Sequence, residues 1–341
     1  MESLMLGPLT LRADLEQWPL VTPFRITGRT WETVDVLVVS LEKDGHVGRG
    51  EAAGVYYKAD QPATMLKQIE SLRGRIETGL SRSSAQSLLP AGGARNALDC
   101  ALWDVEAKIT GRCAWQIAGL EKPRPLLTFL SCGADRPERM AAAARAFTGA
   151  RAIKLKLTGE QIDGERVRAV REARPDVMLT VDANQGLTRA SLAQLLPVLI
   201  DARVTLIEQP FPIGQEELLD GLESPIPIAA DETVQSLSDI PNLVGRFDIV
   251  NVKLDKCGGL SEALAMVRAA GTVGLETYVG NMFGTSLAMA PAFLLGQVCN
   301  FVELDGPVFL KGDRPDPVRY VGGVITCPAN LWGNPHTDVE P

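Results

Sequence analysis

Apolar runs alternate with amphipathic helical segments along the chain from Leu126 to about residue 304. The apolar runs predict strands at residues 126–131, 151–157, 177–182, 204–208, 226–230, 247–253, 275–280 and 300–304. The segments between them include predicted helices at residues 164–173, 189–201 and 260–270. Strands that alternate with helices indicate βαβ units and a parallel sheet, and about eight such strands predict a closed α/β barrel of the TIM type.

The first third of the chain has a different pattern. Residues 8–55 are rich in β-branched side chains and contain Asp44-Gly45, which predicts a hairpin within an antiparallel sheet. Helical patterns follow at residues 59–80 and from Arg95 to Asp104. Asp99 and Asp104 on the second of these helices are interpreted as solvated or capping groups.

These two patterns divide the chain into two predicted domains. We expect an α+β capping domain at residues 1–122 and a barrel at residues 123–320, with Pro123 and Pro125 at the junction. The tail at residues 321–341 has weak strand character before it becomes rich in Pro and Gly, and we expect it to complete the capping domain.

Composition narrows the class of protein. The 341 residues are 45% hydrophobic and 22% charged, which is typical of a globular protein with a large core. The net charge is −8 without a basic block, so we expect no nucleic-acid partner. The six cysteines form no C-x-x-C pair and are expected to be thiols. Neither a secretory signal nor an apolar run of about 18 residues is evident, so we expect no membrane contact and a cytoplasmic location.

Five neighbouring strands each end close to one charged residue. Along the chain these are Lys156, Asp182, Glu208, Asp231 and Lys253, at intervals of 22 to 26 residues. A strand, a helix and their loops occupy about that length in a βα barrel, and active sites lie at the carboxyl ends of the strands. Any one of these residues could simply be a solvent-exposed residue at a strand end. Five charged residues at equivalent positions of neighbouring strands are poorly explained in this way, because charges inside a barrel need partners or a metal ion.

The three carboxylates, without a thiol or an imidazole, form a donor set for a hard cation. We therefore predict that Asp182, Glu208 and Asp231 bind Mg²⁺, and that Asn184 and Glu232 support these ligands. A cation at this position would stabilise the negative charge that develops when a proton leaves the carbon beside a bound carboxylate.

Lysines are the predicted proton carriers. The two histidines, His46 and His336, are remote from the strand ends in sequence, whereas Lys156 and Lys253 lie on opposite sides of the carboxylates. Lys154 shares a face of its strand with Lys156, so both should point into the barrel. A lysine base near pH 7 needs a pKa lowered by about 3 units, and burial, the cation and Lys154 all act in that direction.

The motifs at these strand ends resemble those of the enolase superfamily. They are K-L-K at Lys154–Lys156, V-D-A-N at Val181–Asn184, E-Q-P at Glu208–Pro210, A-D-E at Ala230–Glu232 and V-N-V-K at Val250–Lys253. With lysines on both sides of the carboxylates, the chain resembles the muconate-lactonizing-type subgroup. This subgroup includes dipeptide epimerases, N-acylamino acid racemases, cycloisomerases and succinylbenzoate synthases. The resemblance covers nearly the whole chain and implies a (β/α)7β barrel with a capping domain, a lysine base and Mg²⁺.

Within the subgroup the chain is most similar to bacterial L-Ala-D/L-Glu epimerases. The resemblance implies that Glu303 and Asp305, at the last strand, receive the ammonium group of a dipeptide, although the family usually has two aspartates there. Met282, in the loop at residues 280–286, is expected to contact the substrate. The family's arginine that binds an acidic side chain of the substrate aligns with Gly28, so Arg25 and Arg29 are the nearby candidates for this role. The alternative is that this loop, residues 22–29, is only a solvated turn.

Several functions stay open. The leading hypothesis is transfer of the α-proton of a dipeptide's C-terminal residue between Lys156 and Lys253, with cell-wall peptide recycling as the pathway. A syn-elimination or cycloisomerisation would use the same groups but not the acidic pair. A metal-independent Schiff-base aldolase with Lys156 as nucleophile leaves the carboxylates unexplained. A non-catalytic binding barrel and an assembly of identical chains also stay open.

Overall fold

The structure, a computed structural model, describes residues 3–26 and 28–335, so that His336 lies outside the described residues. The N-terminal sheet has three antiparallel strands in the order β1 (Thr10–Ile26), β2 (Arg29–Lys43) and β3 (His46–Ala52). Asp44 and Gly45 have φ of 52° and 82°, as a two-residue hairpin turn with two positive φ angles requires, so the predicted hairpin is confirmed.

Five helices follow the sheet: α1 (Pro62–Ser71), α2 (Arg73–Thr78), α3 (Arg82–Leu88), α4 (Gly93–Thr110) and α5 (Ala114–Ile117). The helix predicted at residues 59–80 is therefore two helices, because Leu72 leaves helical geometry between α1 and α2. Helix α4 lies directly on β3, since a Cβ added to Gly50 would be only 2.1 Å from the carbonyl oxygen of Ala97.

The interpretation of Asp99 and Asp104 as solvated or capping groups is wrong. Both are buried in the middle of α4. Asp99 accepts a hydrogen bond from the backbone N–H of Ser261 at 2.9 Å, and Asp104 accepts one from that of Arg49 at 2.9 Å. The two carboxylates thus connect α4 to the barrel on one side and to β3 on the other.

The second part of the chain is a curled sheet of eight parallel strands, which confirms the predicted barrel. After β4 (Leu126–Leu127), its strands are β5 (Leu130–Cys132), β6 (Ala152–Lys156), β7 (Met178–Asp182), β8 (Val204–Glu208), β9 (Ile228–Ala230), β10 (Ile249–Val252), β11 (Glu276–Val279) and β12 (Phe301–Val302). The N–H of Phe129 donates to the carbonyl of Val302 at 2.9 Å, which joins the two ends of the sheet.

The links between strands carry helices on the outside of the sheet. The α-helices are α6 (Pro137–Ala146), α7 (Asp163–Ala173), α8 (Arg189–Asp201), α9 (Leu254–Cys257), α10 (Leu260–Thr272) and α11 (Ser286–Gly296). Short 3₁₀ helices occupy Glu216–Leu219, Leu237–Leu243 and Gly306–Phe309. On β6, Ile153 and Leu155 pack in the core with residues of α7, so that alternation directs Lys154 and Lys156 into the barrel, as predicted.

The strand predicted at residues 126–131 is two strands in different sheets. β5 begins the barrel, whereas β4 pairs with β14 (Val324–Thr326), which itself pairs with β13 (Arg319–Val321). Farther along the tail, the indole N–H of Trp332 reaches the carbonyl oxygens of Arg49 at 3.0 Å and Cys100 at 3.1 Å. These contacts support the assignment of the tail to the capping domain, which stays a prediction.

One expectation from composition agrees with the structure, since all six cysteines are free thiols. Within residues 3–26 and 28–335, no helix combines the length and the apolar character needed to cross a bilayer.

Candidate active site

Three carboxylates meet at the carboxyl ends of neighbouring strands. Asp182 and Glu208 are the last residues of β7 and β8 and lie opposite each other in the parallel register, and Asp231 directly follows β9. All three are buried, and one oxygen atom from each lies within 4.8 Å of the others. The predicted trio is therefore brought together by the barrel, at a distance that suits a single ion.

The backbone turns sharply behind two of these carboxylates. Asn184 and Gln209 have positive φ, 43° and 35°, which residues with a side chain adopt at a cost of about 1–3 kcal/mol. The side-chain oxygen of Gln209 accepts the N–H of Asp231 at 3.0 Å, while its amide group donates to Thr233 Oγ1 at 2.8 Å. Gln209, which the sequence analysis did not single out, thus fixes the start of the loop that carries Asp231.

The two predicted proton carriers flank the carboxylates. Lys156 Nζ lies 2.5 Å from Asp182 Oδ2, and Lys253 Nζ lies 2.6 Å from Asp231 Oδ2. A third amine was missed: Lys256 Nζ lies 2.5 Å from Asp231 Oδ1 and donates to the carbonyl oxygen of Asn251 at 3.0 Å. Its position three residues after Lys253, within one helical turn, was the available signal.

Lys154 connects the carboxylate trio to the acidic pair. This fully buried amine lies 2.8 Å from Glu208, 2.7 Å from Glu303 and 3.5 Å from Asp182. Burial opposes the charge, but the carboxylates outweigh it and raise the pKa of Lys154 well above its usual value. These contacts favour the charged form of Lys154, which thus balances carboxylates of both groups.

The pKa of Lys253 departs from the expectation based on burial. Burial and Lys154 do lower it, but Asp231 and Glu208 have the larger combined effect and raise the pKa of Lys253 well above its usual value. The expectation of a lowered pKa assumed a bound cation, which would compete for these carboxylates. It follows that Lys253 is protonated while it is paired with Asp231, and that it needs a competing partner for this carboxylate before it can accept a proton.

The acidic pair is organised by Ser131 on β5, which the sequence analysis also missed. The Ser131 hydroxyl donates to Glu303 at 2.6 Å, and the Ser131 N–H donates to Asp305 at 2.6 Å. Burial acts to raise the pKa of Glu303, but Lys154 and Lys156 hold it at about 2. Burial and the charge of Glu303 raise the pKa of Asp305 to about 7.

A cavity of about 270 Å³ brings most of the predicted residues together. Its lining includes both lysines and the acidic pair, together with Asn184, Met282 and Arg29. The guanidinium of Arg29 lies 4.9 Å from the ring centre of Trp31 and 5.4 Å from that of Tyr56, so these two rings support it at the wall. Arg25 does not line this cavity but a neighbouring groove beside α6.

The donor set fits a hard divalent cation. Besides the three carboxylates, Asn184 Oδ1 and Glu232 Oε2 are buried oxygens without a hydrogen-bond partner among the described residues. The amide of Asn184 donates to the other Glu232 oxygen at 3.2 Å, which holds the two side chains together beside Asp182. Oxygen ligands of this kind suit Mg²⁺, and unpartnered buried oxygens could hold its water molecules.

Family comparisons cover both parts of the chain. Residues 9–119 match the family described as mandelate racemase / muconate lactonizing enzyme, N-terminal domain. Residues 138–331 match the family described as enolase C-terminal domain-like.

Individual relatives are similar over almost their entire length. The chain is 37% identical to an L-Ala-D/L-Glu epimerase of Escherichia coli over 93% of this chain and 99% of the relative. It is 35% identical to an N-acetyl-D-glutamate racemase of Pseudoalteromonas over 88% of this chain and 96% of the relative. Among solved structures, an enolase family member from Agrobacterium tumefaciens with homology to dipeptide epimerases, with bound sodium and L-Ala-L-Glu, has a TM-score of 0.92 at 37% identity, over 96% of this chain and 100% of that one.

Proposed function

This chain belongs to the enolase superfamily and is an isomerase, and we propose that it is a magnesium-dependent dipeptide epimerase that interconverts L-Ala-L-Glu and L-Ala-D-Glu. The observation that carries the proposal is the arrangement of Lys156 and Lys253 on either side of a carboxylate trio, in a cavity that also contains an acidic pair. Proton transfer at a carbon beside a carboxylate needs the first group, and recognition of a free amino terminus needs the second.

The two lysines have complementary roles. When the α-carbon of the C-terminal residue lies between them, one lysine removes the proton from its side and the other delivers a proton to the opposite side. Inversion follows because the proton returns to the side of the carbon opposite to the one from which it was removed. Mg²⁺ bound by Asp182, Glu208 and Asp231 would offset the charge that develops on the substrate carboxylate. It would also compete for Asp182 and Asp231, the carboxylates with which the lysines pair.

The two ends of the substrate have matching groups in the cavity. A free ammonium group is a partner for Glu303 and Asp305, which are both buried and share Ser131. At the wall, Arg29 is a partner for the side-chain carboxylate of glutamate, and its stacking on Trp31 favours a fixed orientation. We therefore assign the glutamate preference to Arg29 and not to Arg25.

A second candidate is racemisation of an N-acylated amino acid such as N-acetylglutamate. The 35% identity to an N-acetyl-D-glutamate racemase favours it. The acidic pair argues against it, because an acyl group is neutral and would leave Asp305 buried beside Glu303 without the ammonium group that would balance its charge. An elimination or cycloisomerisation meets the same objection.

The test is exchange of the α-proton with solvent. Enzyme with Mg²⁺ in D₂O should introduce deuterium at the α-carbon of glutamate in L-Ala-L-Glu faster than in N-acetyl-L-glutamate, and EDTA should stop the exchange. Lys156→Gln and Lys253→Gln should each abolish epimerisation, while each still allows exchange in the one epimer whose α-proton faces the remaining lysine. No exchange with any dipeptide would overturn the proposal, and faster exchange with N-acetylglutamate would favour the second candidate.

The wider biological setting follows from the resemblance. We place the activity in the cytoplasm and in the recycling of cell-wall peptides, and both stay predictions. Assembly with further copies of the chain stays open.

A further inference from the structure

A buried carboxylate two residues after Lys253 connects the barrel to the capping domain. Asp255 lies in the short helix α9 and is 7% exposed. One oxygen, Oδ1, accepts the backbone N–H of Ala53 at 2.9 Å and that of Gly54 at 2.8 Å. These two residues follow β3, so the contact links the strand end that carries Lys253 to a loop more than 200 residues earlier in the chain.

That loop, residues 53–60, forms part of the cavity wall, and we call it the capping loop. Ala53, Gly54 and Tyr56 line the cavity. Gly54 has a φ of 74°, and an added Cβ would lie 2.1 Å from the carbonyl oxygen of Asp60. The two ends of the loop therefore pack closely against each other and leave no room for a side chain at position 54. A second contact to the barrel comes from Gln235, whose amide donates to the Tyr57 hydroxyl at 2.9 Å.

The capping loop also supports Arg29. Besides the stacking of Arg29 on Tyr56, its guanidinium donates to the Tyr56 carbonyl at 3.3 Å. A continuous set of contacts therefore runs from the strand end of Lys253 through Asp255 and Gly54 to Tyr56 and Arg29.

We propose that Asp255 is a positioning residue that fixes the capping loop over the active site and thereby sets the distance between Lys253 and Arg29. Asp255 is not among the residues that line the cavity, so it acts through the loop and not on the substrate. The proposal rests on the proposed function only where it assigns an acidic group of the substrate to Arg29.

The use of a single oxygen makes the role testable. Asp255→Asn keeps an acceptor at the Oδ1 position, whereas Asp255→Ala removes it. Burial raises the pKa of Asp255 to about 7, so a neutral amide is a close substitute. Asp99→Ala is the matched control. Asp99 also joins the capping domain to the barrel, through Ser261 N at 2.9 Å and Ser261 Oγ at 2.6 Å, but its hydrogen bonds are to Ser261 and Gln86 and not to the capping loop.

Kinetics with L-Ala-L-Glu should separate the variants. Asp255→Ala should raise KM about tenfold and change kcat less than about threefold, because binding to the wall is weakened while the lysines stay in place. Asp255→Asn should stay within about twofold of the wild type, and Asp99→Ala should leave KM unchanged although it unfolds at a lower temperature. Equal defects in Asp255→Asn and Asp255→Ala, or a loss confined to kcat, would overturn the proposal.

Amide hydrogen exchange provides a readout without substrate. The peptide that covers residues 53–60 should lose protection in Asp255→Ala and keep it in Asp255→Asn and Asp99→Ala. If the wild type has no epimerase activity but this pattern holds, the proposed function fails and the positioning role stands. If the protection of residues 53–60 is the same in all variants, the positioning role fails whatever the activity.

Discussion

Replacing Lys154 by Met tests whether this amine balances the charge of the site. Its nitrogen has three carboxylates within 3.5 Å, two of which belong to the trio predicted to bind the cation. Met has a similar length and no charge, so Glu208 and Glu303 lose their nearest cation without a large cavity. Removal of one partner of a buried ion pair costs about 3–5 kcal/mol. For a chain of 341 residues, the unfolding temperature in EDTA should therefore fall by roughly 4–7 °C.

Magnesium should recover most of this loss, because it supplies positive charge to Glu208 and Asp182 once Lys154 is gone. Calorimetry with and without Mg²⁺ should show a larger Mg²⁺-induced rise for Lys154→Met than for the wild type. Lys108→Met is the control: this buried amine lies 3.3 Å from Asp104, in the capping domain, so its loss of stability should not respond to Mg²⁺. Unchanged stability of Lys154→Met in EDTA, or a loss that Mg²⁺ does not reduce, would refute the reasoning.

Two further predictions concern Asp305, the proposed partner of the substrate's ammonium group, and Trp332 in the C-terminal tail. Burial and Glu303 raise the pKa of Asp305 to about 7. The value of kcat/KM for L-Ala-L-Glu should therefore rise severalfold between about pH 6 and 8, because the ionised carboxylate can pair with the ammonium group. The pH–rate profile of Asp305→Asn should lack this rise. Trp332→Ala should lower the free energy of unfolding by about 3–5 kcal/mol in urea titrations, whereas Trp332→Phe, which loses mainly the indole hydrogen bonds, should cost about 1 kcal/mol. An unaffected urea midpoint in Trp332→Ala would contradict the assignment of the tail to the capping domain.

The strand ends were predictable because two simple periodicities agree there. Side chains alternate across a strand, and the strands of a parallel barrel all end on one rim. The direction of the side chains of Lys156, Asp182 and Glu208 could therefore be predicted without knowledge of tertiary contacts. The structure brings the predicted trio together within 4.8 Å. What the periodicities did not include is the mutual pairing of the charges, such as that between Lys253 and Asp231, which raises the pKa of Lys253.

Contacts between distant parts of the chain were not predictable in the same way. The first apolar run contains β4 and β5, and only the tail hairpin, about 200 residues later, decides that β4 leaves the barrel. Asp99 could not be distinguished from a solvated residue, because its partner Ser261 is 162 residues away. The position of Ser131 was predictable, because closure of a barrel places the first strand beside the last, which carries the acidic pair.

The choice between the two arginines also follows from the hairpin. In the register of β1 and β2, Ile26 lies opposite Arg29 and Arg25 lies opposite Thr30. Directly opposed residues of an antiparallel pair share a face. Ile26 lines the cavity and Thr30 lines the neighbouring groove, and each arginine lies with its partner. The register of β1 and β2 therefore places Arg29, and not Arg25, at the wall of the cavity.

The charges of the site favour a divalent over a monovalent cation. Four buried lysines, Lys154, Lys156, Lys253 and Lys256, stand against six buried carboxylates, those of Asp182, Glu208, Asp231, Glu232, Glu303 and Asp305. With all groups ionised, two negative charges stay uncompensated. Burial and the charge of Asp182 raise the pKa of Glu208 to about 8, and burial and the charge of Asp231 raise that of Glu232 to about 7. One Mg²⁺ would supply the two missing charges, whereas one monovalent ion would supply only one of them. The lysines thus limit how much cation charge the carboxylates can accept, and a more highly charged ion would overcompensate the site.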